Sequence, residues 1–325
     1  MKVKSEARSN IALVKYWGKR DPLLNLPAAG SVSMTLSGLT TQTELEFADV
    51  PHDLIVLNGT TLEGKGATKL STFVDRIRDA SGEYRRVRMT SNNNFPTAAG
   101  LASSASGFAA LTVAAAAAAG LELSPRELSV LARQGSGSAS RSIPGGFVHW
   151  HRGELADGTD SFAESVAPPD YWDLACLVLV TVRGEKDIPS TAGMNQTMAT
   201  SPYYQAWVDS VAGDITEALA AIATKDFEKL ADVAERSCLA MHASALAAKP
   251  GVLYWNAKTV DLIHSVRSLR SQGIPCFFTI DAGPHVKVFC EAAHADRLKL
   301  VFEQDPNVIQ IIMASPGAGA RVVPS

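Results

Sequence analysis

The chain has 325 residues, 46% of them hydrophobic and 19% charged, with a formal net charge of −3. That composition excludes a disordered chain, supports one large domain or two ordinary ones, and lacks the basic excess of a nucleic-acid binder. The N-terminal MKVKSEARSN has no apolar h-region, the most apolar windows are too short to cross a bilayer, and the four cysteines are widely spaced without a C-x-x-C pair. The expectation is therefore a cytoplasmic protein with reduced, buried thiols and no nucleic-acid or membrane partner.

In chain order, TQTELEF (41–47) alternates polar and apolar residues as a half-buried strand does. DLIVLNG (53–59) is apolar and ends in an Asn-Gly turn signal, so TELEF and LIVL are expected as neighbours in one sheet. RRVRMTS (85–91) and GGFVHWHRG (145–153) read as further strands, and helices are expected at 67–80, at 104–119, and at 124–134 with Ser124 as N-cap and Pro125 at the first helical position. After the turn-rich APPD, a second unit opens with the strand DLACLVLVTV. It continues through a long helical region at 203–247, a helix at 252–272, strands PCFFTI and HVKVFC, a helix at 291–303 and the strand VIQIIMA. Strands separated by helices in both halves predict an α+β architecture in two lobes, 1–170 and 171–325.

The stretch NNNFPTAAGLASSASGFAAL (92–111) runs from small and polar residues into an Ala-rich apolar segment. A linker would not lead directly into a strong helix former. A helix entry packed through small residues and an anion cradle both stay open. In the cradle, backbone N–H groups around Gly100 and the following helix N-terminus face a phosphate, with the hydroxyls of Ser103, Ser104 and Ser106 available to phosphate oxygens or Mg²⁺. A Walker loop, a G-x-S-x-G elbow and H-E-x-x-H are missing, and GSGSAS (135–140) has Ser140 where G-x-G-x-x-G needs its last glycine.

Three more stretches carry chemistry. NIALVKYWGKRD gathers Lys15, Lys19 and Arg20 around Tyr16 and Trp17, either as an amphipathic surface segment or as a cationic pocket. GSGSASRSIPGG sets Arg141 among hydroxyls, where a guanidinium can fork onto a carboxylate or phosphate. FFTIDAGPHVKV puts Asp281 at the end of a buried strand, as a turn residue or as a base.

Pro96-Thr97-Ala98-Ala99-Gly100-Leu101-Ala102-Ser103-Ser104 resembles the phosphate loop P-x-x-x-G-L-[GA]-S-S of the GHMP kinase superfamily. Together with the other three stretches, in order from Asn10 to past Lys287, it resembles the diphosphomevalonate decarboxylase family in particular. The resemblance implies a GHMP kinase fold, with an N-terminal ribosomal-protein-S5-like domain, a C-terminal ferredoxin-like domain and the active site between them. It implies ATP and Mg²⁺ as cofactors, a homodimer, and mevalonate 5-diphosphate as the substrate that is phosphorylated on its C3 hydroxyl and decarboxylated to isopentenyl diphosphate. By the same resemblance Asp281 is the catalytic carboxylate, Lys15 its neighbouring cation and Arg141 the holder of the C1 carboxylate. Tyr16, Trp17, Gly18, Lys19, Ser136, Gly137, Ser138, Ala139, Ser140, Ser190 and Thr191 fall at substrate-binding positions. Asn94, Ala99, Gly100, Leu101, Ala102, Ser103, Ser104, Ser106 and Lys69 fall at nucleotide positions, with Ser104 at the metal. Thr191-Ala192 stands where some bacterial members carry Arg-Asp, His285 follows Asp-Ala-Gly-Pro in place of Asn, and Pro144 replaces an aromatic residue. A relative that takes the 5-monophosphate, or that phosphorylates without decarboxylation, is the second reading, and a silent binding protein on a kinase fold is the third.

Overall fold

A computed structural model of the chain describes residues 1–95, 103–184 and 187–324. β1 (Val3–Val14) leads through the short β2 (Lys19–Asp21) and β3 (Leu26–Pro27) to the long β4 (Ser31–Ala48). β5 (Leu54–Leu57), β6 (Thr60–Thr61), α1 (Gly64–Ser81) and β7 (Arg86–Asn93) follow, then α2 (Ser103–Ala118), α3 (Pro125–Gly135), a 3₁₀ turn at Gly137–Ser142, β8 (Phe147–Trp150) and β9 (Ala163–Ala167). The second half holds β10 (Leu174–Val180), α4 (Ser190–Thr200), α5 (Tyr204–Thr224), α6 (Phe227–Leu246), α7 (Ala257–Ser271), β11 (Phe277–Thr279), β12 (Val286–Glu291), α8 (Ala295–Glu303), β13 (Gln310–Ala314) and β14 (Arg321–Val323).

The first sheet runs β14-β1-β4-β7-β5-β6, and β8 and β9 extend it from the other half of β4. β4 pairs with β8 over Ser31–Met34 and with β7 over Thr41–Ala48, so one strand serves two neighbours on the same edge. The expected pairing of TELEF with LIVL is corrected here. β7 lies between them, because β5 pairs with it in parallel and α1 makes the crossover such a pair requires. α2 is apolar all round and packs on β1 and β4. Its alanines bring the helix backbone close enough for the Ser5 hydroxyl to donate to Ala110 O at 2.7 Å. α3 starts as expected, with Ser124 and Glu127 forming a capping box and Pro125 behind the cap.

The second sheet is antiparallel, β11-β12-β10-β13. β10 is buried on both faces. Cys176 and Val178 turn to the core shared with β1, α5 and α6, whereas Ala175, Leu177 and Leu179 turn to the core under α7 and α8. Period-two alternation with two apolar faces explains why this strand reads as an uninterrupted hydrophobic run. The region expected as one helix from 203 to 247 is two antiparallel helices. Lys225 takes a left-handed conformation (φ 54°), and the Asp226 carboxylate caps α6 by accepting from Lys229 N. α7 begins at Ala257, later than expected, behind the Asn256 cap. α4, whose first residues include Ser190 and Gly193, was not legible from its mix of small polar residues. The chain ends by returning to the first sheet, where β14 pairs with β1 and Arg321 bridges to Glu6 at 2.9 Å.

Away from the interface between the sheets, Arg78 and Asp53 form a buried ion pair at 2.5 Å, and Asp53 also accepts from Val87 N. Burial alone would raise the Asp53 pKa, but hydrogen bonds from Arg78 and Val87 hold it below the usual carboxylate range. Replacing Asp53 with alanine removes the buried partner of Arg78 NH2 and the acceptor of Val87 N, while Asp75 (2.6 Å) and Arg85 O still hold the guanidinium, so urea unfolding is expected to show a loss of about 1–3 kcal/mol. The depressed native pKa sets the sign of the acid dependence. The wild-type advantage over Asp53→Ala is present above the ordinary aspartate range and disappears as pH falls through the native value.

Candidate active site

Lys15 follows the end of β1 and Asp281 follows the end of β11, so the two sheets deliver one residue each to a shared point. Lys15 Nζ lies 2.7 Å from Asp281 Oδ1 and donates a second bond to Ala12 O at 2.9 Å. α6 fixes both backbones. The Ser237 hydroxyl accepts from Lys15 N at 3.0 Å, while Cys238 Sγ accepts from Ile280 N and His242 Nε2 contacts Ile280 O at 3.2 Å. Burial would push the Asp281 carboxyl upward, but Lys15, Lys287 and Arg141 outweigh it and hold the pKa below the usual value. Lys287, on β12, is itself lowered by burial, against the opposing pull of Asp281.

Arg141 is held in the 3₁₀ turn that follows α3. Its Nε donates to Asn10 Oδ1 at 3.0 Å, its NH1 donates to Ser31 Oγ at 2.8 Å, and the guanidinium sits 5.9 Å from the Trp150 ring. Asn10 in turn donates to Ser138 O and to the Ser142 hydroxyl. Burial brings Arg141 down to about 10, partly offset by Asp281, so it stays charged at neutral pH. Tyr16 packs edge-on against Trp150 at 4.7 Å, and burial raises its phenol above the ordinary value. Gly18 has φ +99°, and a Cβ there would strike the Tyr204 hydroxyl, so the turn after Trp17 requires glycine.

These groups line a cleft of about 760 Å³. Its wall includes Lys15, Tyr16, Trp17, Lys19, Lys69, Ser103, Ser104, Ser136, Gly137, Ser138, Arg141, Ser190, Thr191 and Asp281. The Ser136 hydroxyl lies 3.5 Å from those of both Ser104 and Ser138, making a row of neutral oxygen donors. Lys69, Thr72, Phe73 and Arg76 add one face of α1, and burial lowers the Lys69 pKa. Burial also lowers Lys19, reinforced by the charge of Lys69.

Other expected residues are not brought to this wall. Ser106 is fully buried and accepts from the Thr41 hydroxyl at 2.7 Å. Ala139 and Ser140 lie on the inner side of the 3₁₀ turn, where the Ser140 hydroxyl donates to Gly137 O. Asn94 is engaged with Thr40 and Gly38 at the end of the β4–β7 pair. Gly18 stands behind the wall against Tyr204. Ala99, Gly100, Leu101 and Ala102 lie outside the described residues. Asn10, Arg76, Ser237 and Lys287 were missed. A lysine inside the otherwise apolar VKVFC was a signal for Lys287, and the helical spacing 69, 72, 73, 76 was one for Arg76.

Residues 7–163 match the family model for the diphosphomevalonate decarboxylase-like N-terminal domain, and residues 176–317 match that for the mevalonate 5-diphosphate decarboxylase C-terminal domain. The chain belongs to the diphosphomevalonate decarboxylase family. The diphosphomevalonate decarboxylase of Aspergillus fumigatus is 40% identical over 86% of this chain and 74% of its own length. Mevalonate diphosphate decarboxylase from Staphylococcus aureus is 41% identical, with TM-score 0.93 over 99% of this chain and 98% of that one. A solved complex of the protein designated MDDEF with MVAPP, AMPPCP and magnesium is also 41% identical, with TM-score 0.93 over 100% and 99%. The fold is thus the GHMP kinase fold of these decarboxylases.

Within this family site, Asn10 touches the cleft only through Arg141 and the 3₁₀ turn. Asn10→Ala removes a charge-assisted acceptor of about 1.5–3 kcal/mol, so kcat/KM is expected to fall about 10- to 150-fold. Thermal melting separates this positioning effect from unfolding, since the variant is expected to remain folded at the assay temperature.

Proposed function

We propose that this protein uses ATP to convert mevalonate 5-diphosphate to isopentenyl diphosphate, with release of ADP, phosphate and carbon dioxide. The observation that carries this reading is the Lys15–Asp281 pair, its lysine buried and its carboxylate half-buried, which opens on a cleft that also presents Arg141 and a row of serine hydroxyls. Family membership supports the reaction, and the relative solved with MVAPP, AMPPCP and magnesium supports the same ligands here.

Asp281 is assigned the C3 hydroxyl. Its pKa is depressed, so it is ionised at neutral pH and accepts a hydrogen bond from that hydroxyl. Full deprotonation first is excluded by magnitude. An alcohol about as weakly acidic as water lies roughly 12 pKa units above such a carboxylate, or roughly 16 kcal/mol. The proton therefore moves to Asp281 only as the hydroxyl oxygen bonds to the γ-phosphorus, late in a loose transfer. The C3–O bond then breaks with its electron pair leaving on phosphate, the C1–C2 bond supplies the pair of the new C2–C3 double bond, and C1 departs as carbon dioxide.

Arg141 is assigned the C1 carboxylate, with its guanidinium already oriented by Asn10 and Ser31. Tyr16 and Lys19, with Ser190 and Thr191 across the cleft, are assigned the diphosphate tail. Ser103, Ser104 and Lys69 are assigned the ATP phosphates. The neutral oxygens of Ser104, Ser136 and Ser138 fit Mg²⁺, a hard cation that keeps several waters and takes few protein ligands. Bound there, Mg²⁺ would neutralise phosphate charge, with Ser104 among the residues that would hold it. A cytoplasmic location is supported by four free, buried cysteines, and among the described residues no helix is long and apolar enough to cross a membrane. The homodimer is proposed from the family resemblance.

Asp281→Asn is expected to fold normally and to lose about 10²- to 10⁴-fold in kcat. Lys15→Met removes the nearest cation while leaving the burial that raises Asp281, so the acid limb of kcat/KM should move up by about 1–3 pH units. A limb that stays in place would remove Asp281 from the step. Wild-type enzyme should prefer the 5-diphosphate over the 5-monophosphate at least about tenfold in kcat/KM, because each charge-assisted contact contributes about 1.5–3 kcal/mol. Coupled ADP and carbon dioxide assays measure both substrates, and equal efficiency would favour the monophosphate.

A further inference from the structure

β8 and β9 carry a cluster that the catalytic cleft does not use. On β8, Val148 and Trp150 pack inward with Ala163 and Tyr16, which leaves His149 on the opposite face. His151, two residues on, continues that face, and its N–H donates to Phe162 O, extending the ladder. The β8–β9 register sets Glu164 directly across from His149. Two consecutive constraints, strand alternation and cross-strand register, therefore aim three side chains at one point.

The donor atoms of His149, His151 and Glu164 all lie within 4.8 Å of one another. The imidazole rings are 4.1 Å apart, and His151 Nε2 is 2.8 Å from Glu164 Oε1. We propose that these three residues bind a divalent transition metal of the zinc type. Two imidazoles and one carboxylate are the donor set such ions take, whereas Mg²⁺ and Ca²⁺ prefer oxygen alone. Bonds of about 2.0–2.1 Å in a tetrahedral site place donors about 3.4 Å apart, so the widest pair has to close by no more than about 1.4 Å. Both histidines also line a second cavity of about 730 Å³, walled opposite by Gln205 and Asp209 and sharing no lining residue with the catalytic cleft. That cavity leaves room for a water or an external ligand at the fourth position. The site is thus separate from the one assigned to Mg²⁺ and ATP, and it would tie β8 to β9 behind Trp150, the residue against which Tyr16 packs.

Isothermal titration of the intact, metal-stripped protein with Zn²⁺, in the absence of nucleotide, tests the proposal. Wild type is expected to bind one Zn²⁺ per chain through this site, and His149→Ala and His151→Ala are each expected to weaken it at least about tenfold. Glu164→Gln keeps a hydrogen-bond acceptor for His151 but loses the anionic donor, and should weaken it as well. Zn²⁺ should raise the melting temperature of wild type and leave that of the His149→Ala/His151→Ala double variant unchanged, a readout independent of catalysis. Folding of the variants is checked by circular dichroism without metal. Zn²⁺ affinity equal in wild type and the folded double variant would overturn the site.

Discussion

The contact between Lys15 and Asp281 joins the two sheets of this protein at their chemical centre. Burying an ion pair is costly in desolvation, and such pairs contribute little net stability compared with apolar packing. Here the surroundings supply the compensation the pair needs. Lys15 has a backbone carbonyl as well as the carboxylate, and α6 anchors the backbone on both sides through Ser237, Cys238 and His242. α6 packs on both β1 and β11. Its position therefore sets the distance between a residue that follows a strand of the first sheet and one that follows a strand of the second.

That arrangement explains why the half-buried carboxylate stays ionised. Desolvation is the largest influence on Asp281 and works against its charge, yet Lys15, Lys287 and Arg141 reverse the outcome. A carboxylate in this state is a poor base for a free alcohol and a good acceptor for a hydroxyl that is acquiring a bond to phosphorus. The cations also exceed what one carboxylate needs. With Lys19, Lys69 and Arg76 on the same cleft, the wall is positive although the chain as a whole carries a formal charge of −3. A local field of this kind draws anionic substrates inward and is invisible to net charge.

The remaining wall is shaped by close approach. Trp17 is buried against Tyr254 at 5.9 Å, Gly18 leaves room for Tyr204, and Tyr16 rests on Trp150. These aromatic contacts hold the segment carrying Lys15 and Lys19 against α5, β8 and the loop before α7. The positions of the two lysines consequently depend on parts of the chain remote from them in sequence.

Local rules made much of this legible in the sequence. Ser124-Pro125 started α3, alternation over 85–91 marked the strand that forms at 86–93, and the apolar run after Asp173 gave the strand at 174–180. The residue types at Lys15, Arg141 and Asp281 pointed to a polyanion and a transferable proton, and the family resemblance supplied the reaction. Tertiary structure decided what local pattern could not. TELEF and LIVL both form strands, but only the parallel pairing with β7 shows that they are not neighbours. In a Ser- and Gly-rich turn every hydroxyl looks equally available, yet Ser136 and Ser138 face the cleft while Ser140 bonds inward, and Ser106 is taken by Thr41. Asn10 meets Arg141 across 131 residues of sequence, and Ser237 meets Lys15 across 222. Sequence sets which groups a segment can offer, because side-chain chemistry and backbone preference are local. Which of those groups meet is set by the packing of one element on another, and that depends on the whole core.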